Sequence, residues 1–169
     1  DNPAAKDAFI KAAEIAKNAG RKVALSLSDS FCVNRHRESF IKLVKNHIDI
    51  LFANEDEIKA LYKTSSLNTA IEELKKTCDL AAITIGKKGS ILISSGKEIN
   101  IDPFIFGKAI DTTGAGDLYA GGFLKGLADG LKPEISARIG SICAGHIVTQ
   151  LGSRSNTDLL NLISSHLEP

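Results

Sequence analysis

The chain has 169 residues, of which 43% are apolar and 24% are charged, and its formal net charge is +1. This size and composition suit one globular domain, predicted to span residues 1–169, and the charge balance gives no sign of a nucleic-acid partner. There is no apolar run of membrane-spanning length and no signal-peptide pattern, so we expect no membrane partner and a cytoplasmic location.

Cysteine and histidine give no sign of a metal centre. The three cysteines are odd in number and form no C-x-x-C pair, so we expect reduced thiols at Cys32, Cys78 and Cys143. The four histidines form no H-E-x-x-H or other close pair. Metal binding through these residue types is therefore not predicted.

The apolar pattern predicts alternating helices and strands in chain order. Asp1, Asn2 and Pro3 supply a cap and a first-turn proline for a helix that Gly20 ends. The next predicted elements are a strand at Val23–Leu27, a helix at Arg35–Asn46, a strand at Ile48–Phe52, and helices at Asn54–Tyr62 and Leu67–Thr77. Strands follow at Leu80–Ile85, Ser90–Ser94 and Glu98–Ile101, the last two joined by a tight Ser-Ser-Gly-Lys turn. Three helices end the series, at Gly116–Leu131, Pro133–Leu151 and Asn156–Leu167.

This order of elements predicts an α/β fold. Alternating strands and helices indicate a three-layer α/β/α arrangement, in which helices cover a mostly parallel sheet and an antiparallel hairpin is added. In open sheets of this class, ligands bind outside the carboxyl ends of the strands. The loops that follow the predicted strands are therefore where we expect functional residues.

The run Asp-Thr-Thr-Gly-Ala-Gly-Asp at residues 111–117 directly precedes an apolar predicted helix. A Gly-Ala-Gly turn that opens a helix presents backbone N–H groups at the positive end of the helix dipole, which suits a phosphate. Asp117 falls in the first turn, where its carboxylate can act as the base for an acceptor hydroxyl. Residues 114–117 alone fit a purely structural turn equally well, but Asp111 and Thr113 are not required by such a turn.

Asn54 and Glu57 follow a predicted strand and so lie at its carboxyl end. Asn followed three residues later by Glu is a capping box, and simple helix initiation is the first interpretation of this pair. The same geometry leaves Glu57 able to order water around a magnesium ion, because magnesium keeps most of its waters. Capping and metal binding can coexist here.

A second glycine-containing loop leaves the predicted strand at Thr84. Gly86 and Gly89 permit the backbone to come close to a ligand, and the Thr84 hydroxyl can donate or accept a hydrogen bond. A solvated turn is the simpler interpretation of the loop by itself. Inside the helix that follows the 111–117 run, Gly121 and Gly122 each cost about 1 kcal/mol relative to alanine, and we expect close packing of this helix on the sheet to compensate.

Together, these motifs resemble the ribokinase-like kinases, also called PfkB-type carbohydrate kinases, a family that includes the adenosine kinases. Asn54-x-x-Glu57, Thr84-x-Gly86-x-x-Gly89 and the 111–117 run occur in the family's order and approximate spacing, and the resemblance covers essentially the whole chain. No P-loop G-x-x-x-x-G-K-[ST] and no dinucleotide fingerprint is present, so those nucleotide-binding classes fit poorly.

The resemblance implies roles for individual residues. Asp117 is implied to be the catalytic base, and Gly114, Ala115 and Gly116 to form the anion hole. Asn54 and Glu57 are implied to act on phosphate and Mg²⁺, and Thr84, Gly86 and Gly89 to lie along the ATP.

The resemblance also implies an activating monovalent cation, such as K⁺, held by oxygens beside the anion hole. The matching positions are Asp111 and Thr113, backbone groups near Ile147, Gln150 and Gly152, and Asn156. Relatives often have Gly-Ala where this chain has Gly152-Ser153. A helix C-terminal stop is the simpler interpretation of Gly152 alone.

The family's N-terminal part, with its lid and most acceptor-binding residues, has no counterpart in this sequence. Removing the first strands of a parallel sheet would expose the edge beside Val23–Leu27. We therefore expect that the chain belongs with a missing N-terminal half of the same polypeptide, or that it pairs with another chain, for example as a homodimer. By itself, the chain is expected to be inactive as an enzyme.

The predicted function is transfer of the γ-phosphoryl group of Mg-ATP to a hydroxyl of a small-molecule sugar or nucleoside. Residues 25–34 and 49–54 favour the adenosine-kinase-like branch. Two alternatives remain open: a nucleotide-binding or regulatory module without catalysis, and a kinase of vitamin precursors on the same scaffold.

Overall fold

Strands and helices alternate through residues 3–167, the part of the chain that this computed structural model describes. The chain forms two units, Asp1–Ala81 and Ala82–Pro169. The cap predicted at Asp1 and Asn2 lies outside the described residues. Within those residues, no helix is both long and apolar enough to cross a bilayer.

The first unit contains five helices and two complete strands among its described residues. In chain order they are α1 (Pro3–Asn18), β1 (Ala24–Ser26), α2 (Ser30–Arg35), α3 (Arg37–His47), β2 (Ile50–Asn54), α4 (Glu55–Tyr62) and α5 (Leu67–Lys75). A third strand, β3 (Leu80–Thr84), begins in this unit and ends in the next.

Strands β1 and β2 pair in parallel, with Ala24 opposite Ile50 and Ser26 opposite Phe52. The first four residues of β2 are buried, whereas Ala24 and Ser26 of β1 are exposed. Ala24 and Ser26 lie two residues apart and so share one face of the strand, the exposed one. Strand β1 is also an edge strand, at the edge predicted beside Val23–Leu27.

One predicted helix proved to be two. The sequence predicted a single helix at Arg35–Asn46, but α2 begins at Ser30 and a break at His36 separates it from α3. Asp29 causes the early start, because its side chain accepts a hydrogen bond from the backbone N–H of Phe31 and caps α2. Asp29 is therefore a helix cap.

The second unit contains a hairpin followed by three helices. A 3₁₀ turn at Gly86–Lys88 leads into β4 (Ser90–Ser94) and β5 (Lys97–Ile101), which are followed by α6 (Ala115–Ala128), α7 (Pro133–Ile147) and α8 (Leu159–His166). The hairpin is antiparallel and closes through Ser95 and Gly96, both at positive φ, as its sequence predicted.

Helix α7 ends at Ile147 rather than at the predicted Leu151, so Gly152 is not its stop. The carbonyl of Val148 instead accepts hydrogen bonds from the backbone N–H groups of Ile110 (2.7 Å) and Asp111 (3.3 Å). These tertiary bonds satisfy an orphan carbonyl at the helix end, and a sequence pattern does not contain them.

The prediction that Gly121 and Gly122 allow close packing of their helix on the sheet was wrong in part. A Cβ added at Gly122 would lie 2.9 Å from Cys143 Sγ and 3.0 Å from the Ile139 carbonyl oxygen, whereas one added at Gly121 would meet no atom within 4 Å. Gly122 therefore permits close packing of α6 on α7, a helix, rather than on the sheet. Gly121 has no packing reason in this unit.

Candidate functional site

The turn that the sequence singled out opens helix α6. Gly114 is the N-cap residue and has a φ of 79°, in the left-handed region that glycine adopts without strain. Helix α6 then begins at Ala115, one residue before the predicted start. The turn lies at the surface, with Gly116 and Asp117 exposed.

Backbone donors at the start of α6 are free to bind a ligand. The N–H groups of Gly114, Gly116 and Asp117 donate to no other group among residues 3–167, whereas the N–H of Ala115 donates to the Thr112 carbonyl oxygen at 3.2 Å. The first amides of a helix have no intrahelical acceptor and carry the positive end of its dipole. An anion could accept hydrogen bonds from these N–H groups. The Ala115 N–H could join them only by giving up its bond to the Thr112 carbonyl oxygen.

The carboxylate of Asp117 stands in the first turn of α6. It forms no hydrogen bond or ion pair with any residue that the structure describes. An exposed carboxylate beside free amide donors can accept a proton from a hydroxyl group whose attack those donors assist. The chemistry expected of Asp117 is thus open to it in this conformation.

Asp111 is held by three donors. Its Oδ1 accepts hydrogen bonds from the Thr113 backbone N–H (2.9 Å) and the Thr113 hydroxyl (2.6 Å), and its Oδ2 accepts one from the Gly152 backbone N–H (2.9 Å). These bonds, that of the Thr113 hydroxyl first, lower the pKa of Asp111 to about 2. The side chain therefore carries a fixed negative charge at neutral pH.

The turn at Gly114 fits against the loop that follows α7. A Cβ added at Gly114 would lie 2.6 Å from Ser153 Cβ and 3.0 Å from Ser153 Cα. The serine that departs from the common Gly-Ala pattern therefore packs directly on the N-cap glycine. Residue 114 must therefore be glycine for steric reasons as well as for its positive φ.

The remaining residues predicted for a cation lie in the same loop. The Gln150 backbone N–H donates to the Ile147 carbonyl oxygen (3.3 Å), and its side chain accepts from the Asn156 backbone N–H (3.4 Å) and donates to the Arg154 carbonyl oxygen (2.6 Å). These contacts close the loop on itself. Gln150 makes all three of these hydrogen bonds and so holds the loop together. One of them uses the Ile147 carbonyl oxygen as its acceptor.

The two glycines of the loop after β3 both have a positive φ, but only one of them is in close contact with a neighbouring segment. Gly89 has a φ of 92°, and a Cβ there would lie 2.1 Å from the Ile101 carbonyl oxygen. Gly86 has a φ of 61°, and a Cβ there would meet open space. The Ile85 N–H donates to the Gly89 carbonyl oxygen (2.9 Å), which closes the loop at the end of β3, where Thr84 is the last residue.

Asn54 and Glu57 belong to the first unit and form the predicted capping box. The Asn54 side chain accepts from the Glu57 backbone N–H (2.9 Å), and Glu57 Oε2 accepts from the Asn54 backbone N–H (2.9 Å). Glu57 Oε1 also accepts from the Asn54 side-chain amide at 2.7 Å. Burial raises the pKa of Glu57, the Asn54 backbone N–H opposes this, and the charges of Asp29 and Asp56 add to it.

The donor chemistry of Glu57 fits a magnesium ion held through water. A carboxylate has about four acceptor positions, and the capping box occupies one on each oxygen of Glu57. Hard oxygen donors are what Mg²⁺ takes, usually while retaining several waters. No group of three or more His, Cys, Asp or Glu residues that could hold a metal directly occurs within residues 3–167.

For a monovalent cation, the fit rests on Asp111. Two hydrogen bonds fill Oδ1, but Oδ2 accepts only one and keeps a position for a further partner. Its charge is permanent at neutral pH, and oxygen is the donor type that such a cation requires. The chain therefore offers one anionic oxygen at this place.

In the second unit, Asp111 makes direct contacts with Thr113 and Gly152, and Gly114 packs on Ser153, the residue after Gly152. Sequence reasoning missed a buried pair that flanks these motifs, Ser90 and Tyr119, whose hydroxyl groups lie 2.8 Å apart. A tyrosine in an apolar helix matches an ordinary core position, so no sequence signal marked the contact.

Comparison with known proteins adds independent evidence. The family model for pfkB family carbohydrate kinases matches residues 1–159. A nucleoside kinase of Methanocaldococcus jannaschii is 31% identical over 132 residues, covering 78% of this chain and 43% of that protein. A ribokinase of Haemophilus influenzae is 32% identical over 151 residues, covering 86% of this chain and 47% of that protein.

A solved structure supports the fold directly. The crystal structure of adenosine kinase from Sinorhizobium meliloti matches with a TM-score of 0.93 and 40% identity, covering 98% of this chain and 51% of that one. The likeness confirms the α/β fold predicted from the sequence. The chain spans about half the length of the relatives it matches.

Proposed function

The chain belongs to the pfkB family of carbohydrate kinases, and on that basis we propose that it carries the phosphoryl-transfer part of an ATP-dependent kinase. The acceptor is a hydroxyl group of a sugar or nucleoside. The likeness to adenosine kinase from Sinorhizobium meliloti favours a nucleoside acceptor such as adenosine.

One observation carries the proposal: the same helical turn holds a carboxylate and backbone N–H groups that have no partner among residues 3–167. Asp117 takes the proton of the acceptor hydroxyl, while the N–H groups of Gly114 and Gly116 bind the charge that develops on the transferred phosphoryl group. Phosphoryl transfer needs positioning and electrostatic stabilisation more than covalent chemistry, and a helix N-terminus supplies both.

The supporting residues have roles that follow from their donor chemistry. Glu57 orders water around Mg²⁺, which neutralises phosphate charge when bound, and Asn54 keeps Glu57 in place through the capping box. Thr84, Gly86 and Gly89 lie along the nucleotide. Asp111 contributes its permanent charge to a monovalent cation such as K⁺, with Thr113 and the loop of Gln150, Gly152 and Asn156 around it.

The test is the substitution Asp117→Asn in the protein expressed from its complete reading frame. We expect kcat to fall by about 10²- to 10⁴-fold, the usual contribution of a general base, while ATP binding measured by titration calorimetry is retained. Asp129→Asn is the matched control, because Asp129 caps the other end of the same helix and pairs with Lys125. It should leave kcat unchanged.

A panel of acceptors separates the alternatives. Transfer of phosphate from ATP to adenosine, ribose or fructose supports the proposed function, and transfer to pyridoxal alone supports a vitamin-precursor kinase. ATP binding with no transfer to any acceptor supports a regulatory module. If Asp117→Asn kept most of the wild-type kcat, the assigned base would be wrong.

A further inference from the structure

A pair of buried hydroxyl groups joins two segments of the second unit. Ser90 Oγ and Tyr119 Oη lie 2.8 Å apart, and the two residues are 1% and 3% exposed. Either hydroxyl can be the donor. A buried hydroxyl that loses its partner is costly, so the contact fixes the distance between its two segments more firmly than an apolar contact does.

Ser90 stands at the end of the glycine loop that follows β3. It directly follows Gly89, whose backbone fits against Ile101 so tightly that a Cβ would overlap the Ile101 carbonyl oxygen. The Ile85 N–H closes the same loop by donating to the Gly89 carbonyl oxygen at 2.9 Å. Because this hydrogen bond and the tight fit of Gly89 both restrain the loop, the position of Ser90 follows the position of the whole segment.

Tyr119 lies two residues after Asp117 in α6. Successive helical residues are about 100° apart, so the two side chains leave opposite sides of the helix, and Tyr119 is buried while Asp117 is exposed. The Tyr119 ring stacks on Phe123 at 6.4 Å, and its backbone and ring press on Gly140 of α7. The first turn of α6 is thus rigidly connected to the Tyr119 hydroxyl.

We infer that Tyr119 is a positioning residue, whose hydrogen bond to Ser90 holds the first turn of α6 in register with the loop at residues 85–89. This inference rests on the proposed function, because it assigns a role between the catalytic base and the nucleotide loop of that site. Phenylalanine would fill nearly the same space in the core. The contribution of the tyrosine hydroxyl is therefore the hydrogen bond that fixes the position of α6 relative to the loop.

The chemistry of the pair keeps this bond intact over the working range of pH. Burial raises the pKa of Tyr119 to about 12, with the bond to Ser90 opposing it, so the hydroxyl stays protonated at neutral pH. A serine hydroxyl does not titrate in this range. The connection is therefore permanent rather than switched by pH.

Amide hydrogen exchange tests the connection without any need for activity. The N–H of Ile85 reports on the loop and the N–H of Leu118, which donates to the Gly114 carbonyl oxygen at 2.9 Å, reports on the turn. We expect Tyr119→Phe to accelerate exchange at Ile85, and Ser90→Ala to accelerate exchange at Leu118, each by about fivefold or more. Each substitution must therefore accelerate exchange in the segment that does not contain it.

Ser136→Ala is the matched control, since Ser136 is also fully buried but its hydroxyl donates to the Lys132 carbonyl oxygen at the far end of α6 and α7. It should leave exchange at both reporters unchanged. Exchange that accelerates only in the mutated segment would overturn the inference, as would an equal acceleration in Ser136→Ala.

Kinetic measurements on the protein expressed from its complete reading frame distinguish failure of the positioning role from failure of the proposed kinase function. We expect kcat/KM for ATP to fall about equally in Tyr119→Phe and Ser90→Ala, and no further in the double variant, because all three break one bond. Wild-type transfer with unchanged kinetics in the variants overturns only the positioning role. Absence of transfer in the wild type overturns the proposed function, while the exchange result still decides the connection between the segments.

Discussion

The backbone N–H of Gly152 donates a hydrogen bond of 2.9 Å to Asp111, 41 positions earlier in the chain. The bond joins the loop after α7 to the segment that leads into α6. Because the Thr113 hydroxyl and N–H bind the same carboxylate, the ionised form of Asp111 organises both segments.

Protonation of Asp111 in acid should weaken these hydrogen bonds over a predictable range of pH. The folded-state pKa of Asp111 is lowered from 3.8 to about 2, so its contribution to stability is complete above about pH 4 and is lost as the pH falls through about 2. We expect Asp111→Asn to be less stable than the wild type at pH 7, with a difference that shrinks between pH 4 and pH 2. Urea unfolding at pH 7, 4, 3 and 2 measures it, and a constant difference would contradict the prediction.

The two glycines of the loop after β3 should respond differently to alanine. Gly86→Ala meets no neighbour, so only its positive φ opposes the methyl group, at a cost of about 1–2 kcal/mol. Gly89→Ala adds an overlap with the Ile101 carbonyl oxygen to a backbone conformation that only glycine adopts well. We expect it to lose more than about 3 kcal/mol or to fail to fold, as measured by urea unfolding. Equal losses would contradict this assignment of strain.

Adjacent glycines in α6 provide a second matched pair. Gly121→Ala should stabilise the protein by about 0.5–1 kcal/mol, because alanine is the better helix former and the added methyl group meets open space. Gly122→Ala should destabilise it by about 1–3 kcal/mol, because the methyl group overpacks the contact with Cys143 and Ile139. Thermal and urea unfolding measure both, and effects of the same sign would show that α6 and α7 are not this close.

Capping and ligand binding at α4 should be separable. Asn54→Ala removes the N-cap acceptor and should cost about 1 kcal/mol in urea unfolding. Glu57→Gln keeps one acceptor for the Asn54 N–H but loses the oxygen that accepts from the Asn54 side-chain amide, so it should also cost about 1 kcal/mol. In ATP titrations with and without Mg²⁺, Glu57→Gln should lose the magnesium-dependent part of the binding. Unchanged Mg-ATP affinity in this variant would limit Glu57 to capping.

Much of the fold was predictable, because local signals and tertiary structure agree. The buried strand β2, the capping box at Asn54 and the hairpin turn at Gly96 are each specified by residues next to one another in sequence. The pattern failed where distant contacts decide the conformation. Helix α7 ends where Val148 accepts bonds from Ile110 and Asp111, which no local pattern contains.

The candidate site shows the same division. The 111–117 run is a contiguous motif, and its geometry at the start of α6 follows from the sequence. The connection of Tyr119 to Ser90 and the fit of Gly114 on Ser153 join residues far apart in the chain. Such contacts depend on exact helix packing, which alternation of apolar residues does not specify.

The contact between Gly114 and Ser153 has an evolutionary corollary. Any side chain larger than hydrogen at residue 114 must be accommodated by retreat of the backbone at Ser153, so residue 114 is not free to vary alone. Substitutions of Gly114 should survive in descendants only where the loop that carries residue 153 has lengthened or shifted. A survey of natural variants ought to find changes at residue 114 coupled to insertions in that loop.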